Sequence, residues 1–126
     1  MCLAVAVYFE ARSEPIWGQI AVAEVIVNRA EHPRFPDTVC AVVKEDRGPR
    51  AYDCQFSFYC DGMPESITNP EAWKYAQAVA AVVLSDRVVT DAAGGAIYYH
   101  TDGVSPRWSR NMEVTTVIGV HIFFAG

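Results

Sequence analysis

At Gly94-Gly95 the apolar pattern of the chain changes period, and that change limits the fold more than any other feature. Before it, apolar residues recur at the three-to-four spacing of helices. After it, β-branched and aromatic residues crowd into Ala96 to His100 and Val114 to Phe124, as strands require. Helices that bury a stripe, followed by two or three strands that bury a face, make an α+β arrangement: a helical domain with a small antiparallel β-sheet near the C-terminal end. No internal repeat or low-complexity run breaks residues 1–126, so a single domain is expected.

Prolines divide the helical part. Ala4, Val5, Val7 and Tyr8 form the stripe of a first helix, which should stop near Ser13 because Pro15 disfavours helical geometry at Glu14. Ser13 or Glu14 is then placed to cap a second helix, with Ile16, Ile20, Val22, Ala23, Ile26 and Val27 giving a wide apolar face that Pro33 closes. Asp37 is the expected cap of a short third helix, Thr38 to Lys44. Residues 45–70 carry Gly48, Pro49, Gly62, Pro64 and Pro70 around an aromatic run, the pattern of a binding loop. Asn69-Pro70 announces a fourth helix that continues to about Ser85 through Trp73, Ala76, Ala80 and Val83.

Charge and composition remove several functions. A net charge of -5 with scattered basic residues argues against nucleic acid, whose binding rests on clustered Lys and Arg. The apolar start Cys2 to Phe9 lacks a basic leader and runs into Glu10, so it reads as a helix, and any export signal is expected outside these residues. No run reaches the roughly 20 apolar residues of a membrane span. Cys2, Cys40, Cys54 and Cys60 form an even set without CxxC spacing. Two disulfides and four buried thiols both remain open, and of three possible connectivities the favoured one joins Cys54 to Cys60 and Cys2 to Cys40.

Chemistry concentrates in Tyr8-Phe9-Glu10-Ala11-Arg12-Ser13-Glu14. A charged helix end is ordinarily a solvated surface. Glu10, however, directly follows an apolar and aromatic run, where desolvation raises a carboxyl pKa and keeps the proton available for donation.

These residues resemble the opening of the SleB/CwlJ family of cell-wall hydrolases, from Cys2-Leu3-Ala4 through Glu10-Ala11-Arg12-Ser13-Glu14-Pro15 and on through Gly18 to Arg29. Further similar motifs follow in order: Phe35 to Cys40, Cys54 to Phe58 with Cys60-Asp61-Gly62, Gly95-Ala96 with Tyr99-His100, and Ile118-Gly119 with His121 and Phe123. Ser13 stands where the family commonly has glycine, and Ile97-Tyr98 departs from the polar residue often found before the Tyr-His pair. The resemblance implies a lysozyme-like or transglycosylase-like domain acting on the glycan strands of peptidoglycan, with Glu10 catalytic. On that reading Glu14, Gln55, Phe56, Ser57, Tyr99, His100 and Trp108 are the substrate-binding candidates. Glu14 is also the rival acid. No cofactor or metal is expected, and the domain should act as a monomer outside the cytoplasm, in the periplasm or cell wall, in a bacterial, spore or phage setting.

Two other classes compete. A zinc-dependent N-acetylmuramoyl-L-alanine amidase would draw its ligands from Glu10, His32, His100 and His121, which lack the spacing of a metal motif. A non-catalytic glycan-binding module would account for the aromatic residues but leave the shielded Glu10 without purpose.

Overall fold

The structure, a computed structural model, describes residues 1–45, 56–59, 66–85 and 90–125. In chain order it contains α1 (Cys2–Ala11), α2 (Ile16–Ala30), α3 (Val39–Val43), a 3-10 turn (Ser57–Tyr59), α4 (Pro70–Leu84), β1 (Tyr98–Thr101), a second 3-10 turn (Arg107–Asn111), β2 (Val114–Ile118) and β3 (His121–Phe124). The α+β expectation is met. None of the helices is long and apolar enough to cross a membrane, among the described residues.

Capping explains where the helices begin, and here two expectations are corrected. Neither Ser13 nor Glu14 caps α2; Pro15 takes the N-cap position in extended geometry without a side-chain bond. The Glu14 carboxylate is spent elsewhere, accepting from the Val120 N–H at 2.9 Å. For α3 the cap is Thr38 rather than Asp37, its hydroxyl accepting from the Ala41 N–H at 3.1 Å. Both residue types cap well, and the register of the first turn chooses between neighbours. Asn69 caps α4 as expected, with Pro70 in the first turn.

The second helix is buried on nearly all sides, as a central helix must be. Ile20, Ala23 and Ile26 face a core shared with Leu3, Val7 and Tyr8 of α1, Val42 and Val43 of α3, and Ala76, Val79 and Ala80 of α4. Its other side, Ala21, Val22 and Val25, meets Ala93, Ala96 and Phe123. A disulfide joins Cys2 at the start of α1 to Cys40 in α3, as the favoured connectivity had it. Cys54 and Cys60 lie outside the described residues.

The sheet is three-stranded and antiparallel in the order β1-β3-β2, so the last strand in sequence is the middle one. Val114 to Phe124 is therefore two strands, folded back at Gly119-Val120. Gly119 has φ +57°, and a Cβ there would overlap the Glu14 carboxylate, so glycine serves both the hairpin turn and the close approach. Side chains alternate across β1: Tyr99 and Thr101 stand opposite Phe123 and His121, while Tyr98 and His100 stand opposite Phe124 and Ile122.

Candidate active site

Glu10 sits in the last turn of α1, partly buried, where the helix end meets the inner face of β1. The Tyr99 hydroxyl donates to its Oε1 at 3.0 Å. Burial pushes the Glu10 pKa up; the Tyr99 hydrogen bond and the Arg29 guanidinium pull the other way and do not overcome it. Tyr99 is in turn held far above its ordinary value, first by burial and then by the neighbouring Glu10 charge, so its hydroxyl stays a donor.

Behind Tyr99 stands His121, with ring centroids 5.0 Å apart. Its Nδ1 lies 3.4 Å from Glu14 Oε1. That separation suits an ion pair, yet burial lowers the His121 pKa against the opposing pull of Glu14 and Asp102. We read the imidazole as neutral, because the contact is too long for a good hydrogen bond and the ring is almost wholly enclosed. Glu14 thus ties the α1–α2 turn to the β2–β3 hairpin, while Glu10 meets the hydroxyl of Tyr99.

The position of Tyr99 is set from α2. Glu24 accepts from the Ala93 N–H at 2.8 Å and from the Thr90 hydroxyl. Asn28 Nδ2 donates to the Ala96 carbonyl at 3.0 Å, and Arg29 Nε to the Ile97 carbonyl at 2.7 Å. The Arg29 guanidinium also lies within 5.6 Å of the Phe35, Phe56 and Tyr98 ring centroids. Glu24 was missed by sequence reasoning, though a carboxylate between Ala23 and Val25 on a helix that is apolar on both flanks is a readable sign of a buried polar anchor.

The other candidates fall in different places. Phe56 is 2% exposed and packs in the core beside Phe58, so its ring has no free face for a sugar. Ser57 opens the first 3-10 turn, and Gln55 lies outside the described residues. His100 is on the opposite face of the sheet from Tyr99, stacked on Phe124 at 5.1 Å and met edge-on by Trp108 at 5.6 Å. Trp108, 40% exposed, also packs on Tyr98. The residues of the amidase shell are not gathered: His32 Nδ1 accepts from the Arg34 N–H, and His121 belongs to Glu14. Among the described residues, no group of three or more His, Cys, Asp or Glu side chains is placed to hold a metal ion.

A helical domain that presents one shielded carboxylic acid to a small sheet, with a phenol to orient it, is equipped for general acid–base chemistry on a bound polymer or small molecule. A family model described as Cell Wall Hydrolase matches residues 13–124. The chain belongs to that family. Among curated proteins it is similar to the spore cortex-lytic enzyme of Bacillus cereus, 38% identical over 96% of this chain and 42% of that protein. It is 36% identical to that of Bacillus subtilis, over 96% of this chain and 35% of the other. The chain thus spans less than half the length of these relatives. Among solved structures, the catalytic domain of the Bacillus cereus SleB protein superposes with a TM-score of 0.70 at 35% identity, covering 97% of this chain and 85% of that one. The catalytic domain of a germination-specific lytic transglycosylase, SleB from Bacillus anthracis, gives 0.65 at 34% identity, covering 98% and 90%. Glu10 lies just before the residues matched by the family model.

Proposed function

We propose that the chain is a peptidoglycan-degrading domain that cuts the bond between N-acetylmuramic acid and N-acetylglucosamine as a lytic transglycosylase, with Glu10 as its single acid and base. The observation that carries this reading is the Glu10 carboxyl itself: its pKa raised by burial, partly open, and aligned by the Tyr99 hydroxyl at 3.0 Å. The likeness to spore cortex-lytic enzymes and to a domain named as a lytic transglycosylase supports the choice of substrate and reaction.

In the first step Glu10 gives its proton to the glycosidic oxygen as the bond from muramic C1 to that oxygen breaks. The carboxylate left behind accepts from Tyr99 and feels the Arg29 cation, which eases the charge. In the second step it removes the proton of the muramic C6 hydroxyl while that oxygen bonds to C1. The product is a 1,6-anhydro end, and Glu10 is protonated again. Glycosidases that use water generally need a second carboxyl as nucleophile or base. Here Glu14 accepts from the Val120 N–H and is packed beside His121, which favours a nucleophile supplied by the substrate, already at high effective concentration. Glu14 is a cleft-shaping residue in this scheme. His100 and Trp108, on the far side of edge strand β1 from Tyr99, offer an aromatic surface to sugars further along the strand. The domain works as a monomer outside the cytoplasm, where its polymer lies.

Mass spectrometry of products from purified peptidoglycan tests the reading. Anhydro-muropeptides are expected from the unaltered chain and almost none from Glu10→Gln, since general acid–base assistance is worth about 10²- to 10⁴-fold and one residue serves both steps. Wild-type cleavage by a folded Glu10→Gln variant overturns it.

A further inference from the structure

A second site lies around the end of α1 from Glu10. Residues two apart on a helix point in nearly opposite directions, and Arg12 accordingly leaves the Glu10 side. Its guanidinium lies 4.7 Å from the centroid of the Tyr8 ring and donates to the Tyr8 carbonyl at 3.3 Å. Arg12 lines an open cleft of about 190 Å³ together with Gln19, Asn69, Glu71, Ala72 and Tyr75.

Three features mark the cleft as built to receive something. Its two walls are fixed to one another, because the buried Tyr8 that carries Arg12 accepts from the Thr68 and Asn69 N–H groups, at 3.2 and 3.0 Å, where α4 begins. Its charges are opposite. Arg12 and Glu71 line the same space, and neither has an ion-pair partner within 4 Å among the described residues. Third, the Gln19 side chain is 5% exposed, with Nε2 committed to the Glu14 carbonyl at 3.0 Å and Oε1 without a hydrogen-bond partner among the described residues. A buried amide oxygen left unpaired is costly unless something donates to it.

A ligand that fits would bring a carboxylate to the planar fork of Arg12, an ammonium to Glu71 and an amide N–H to Gln19. Those are the groups of a short peptide that contains a diamino acid. We propose that this cleft is a subsite for the stem peptide of peptidoglycan, separate from the glycan cleft at Glu10. The choice of stem peptide rests on the proposed substrate; the cleft and its charges do not.

Binding of an isolated peptide tests this without any cleavage, so it succeeds or fails independently of the anhydro product. The wild-type chain is titrated by calorimetry with synthetic L-alanyl-D-isoglutamyl-diaminopimelic acid. Saturable binding is expected, weakened about tenfold by Glu71→Gln and likewise by Arg12→Gln, as for loss of one charge-assisted contact. Acetylating the free amine should weaken wild-type binding by a similar factor and have no further effect on Glu71→Gln, whose exposed position makes misfolding a minor concern. Glu71→Gln should also raise KM several-fold on peptide-bearing glycan and leave cleavage of peptide-stripped glycan unchanged. No saturable binding, binding indifferent to both substitutions, or free alanine binding as well as the tripeptide each overturns the assignment.

Discussion

At Glu10 two influences act on one proton, and their balance has consequences for stability as well as for catalysis. Burial raises the pKa and outweighs the Tyr99 hydroxyl and Arg29. A carboxyl whose folded-state pKa stands above its unfolded value of about 4.3 binds its proton more tightly in the folded protein. Its contribution is therefore most favourable below that unfolded value and is lost as pH rises through the raised folded-state value. Glu10→Gln should thus be more thermostable than the parent at pH 7, with the difference shrinking toward pH 4, as differential scanning calorimetry at several pH values will show. Tyr99→Phe removes a bond that lowers the Glu10 pKa, so the alkaline limb of the pH–rate profile should move to higher pH, with about a tenfold loss of kcat from poorer alignment. An unmoved limb would mean that Tyr99 acts only as packing. The shielding of Glu10 was legible from sequence because its apolar approach is local to α1. Its pairing with Tyr99, 89 residues away, depends on which face of β1 turns inward, and Tyr99-His100 read as a pair hides the fact that strand alternation sends the two side chains to opposite faces.

Among the elements, α2 has two duties, since it fills the core on both sides and holds the segment that leads into β1 through Glu24, Asn28 and Arg29. Glu24→Ala would strand the buried Ala93 N–H and the Thr90 hydroxyl, a loss of about 1–3 kcal/mol in urea unfolding for the first of these. Cleavage should fall as well, because β1 carries Tyr99. A Glu24→Ala protein with parental stability would show that the clamp is incidental. Gly119→Ala should cost about 1–3 kcal/mol, combining a positive φ with overlap on Glu14. The helices were readable from period and proline placement to within a few residues, whereas the N-terminal caps of α2 and α3 were misassigned. Capping near Glu14 was decided by a partner 106 residues away, the Val120 N–H, and no local pattern announces that. The split of Val114 to Phe124 into β2 and β3 turned on Gly119-Val120, a two-residue turn inside a run of uniformly high β-propensity.

For the molecule as a whole, the Cys2–Cys40 bridge closes a loop of 38 residues around α1, α2 and the start of α3. Cross-links of that span are worth about 4 kcal/mol in the chain-entropy picture, so Cys40→Ser should lower stability by roughly 2–4 kcal/mol in denaturant melts while sparing the folded active site. Unchanged stability would indicate that the unfolded chain is already compact there. The change of period at Gly94-Gly95 correctly placed the helices before the sheet, yet it held no information about strand order, because an antiparallel trio of this length admits more than one arrangement. That order has a consequence for timing. The middle strand is the last one made: β3 must slot between β1 and β2 before Tyr99 has Phe123 and His121 behind it. Glu10 precedes β1 and β3 in sequence, so it leaves the ribosome before the residues that surround its carboxyl. A chain halted short of His121 would carry Glu10 but not the rings that back the Tyr99 phenol, so on the proposed reading cutting waits for β3.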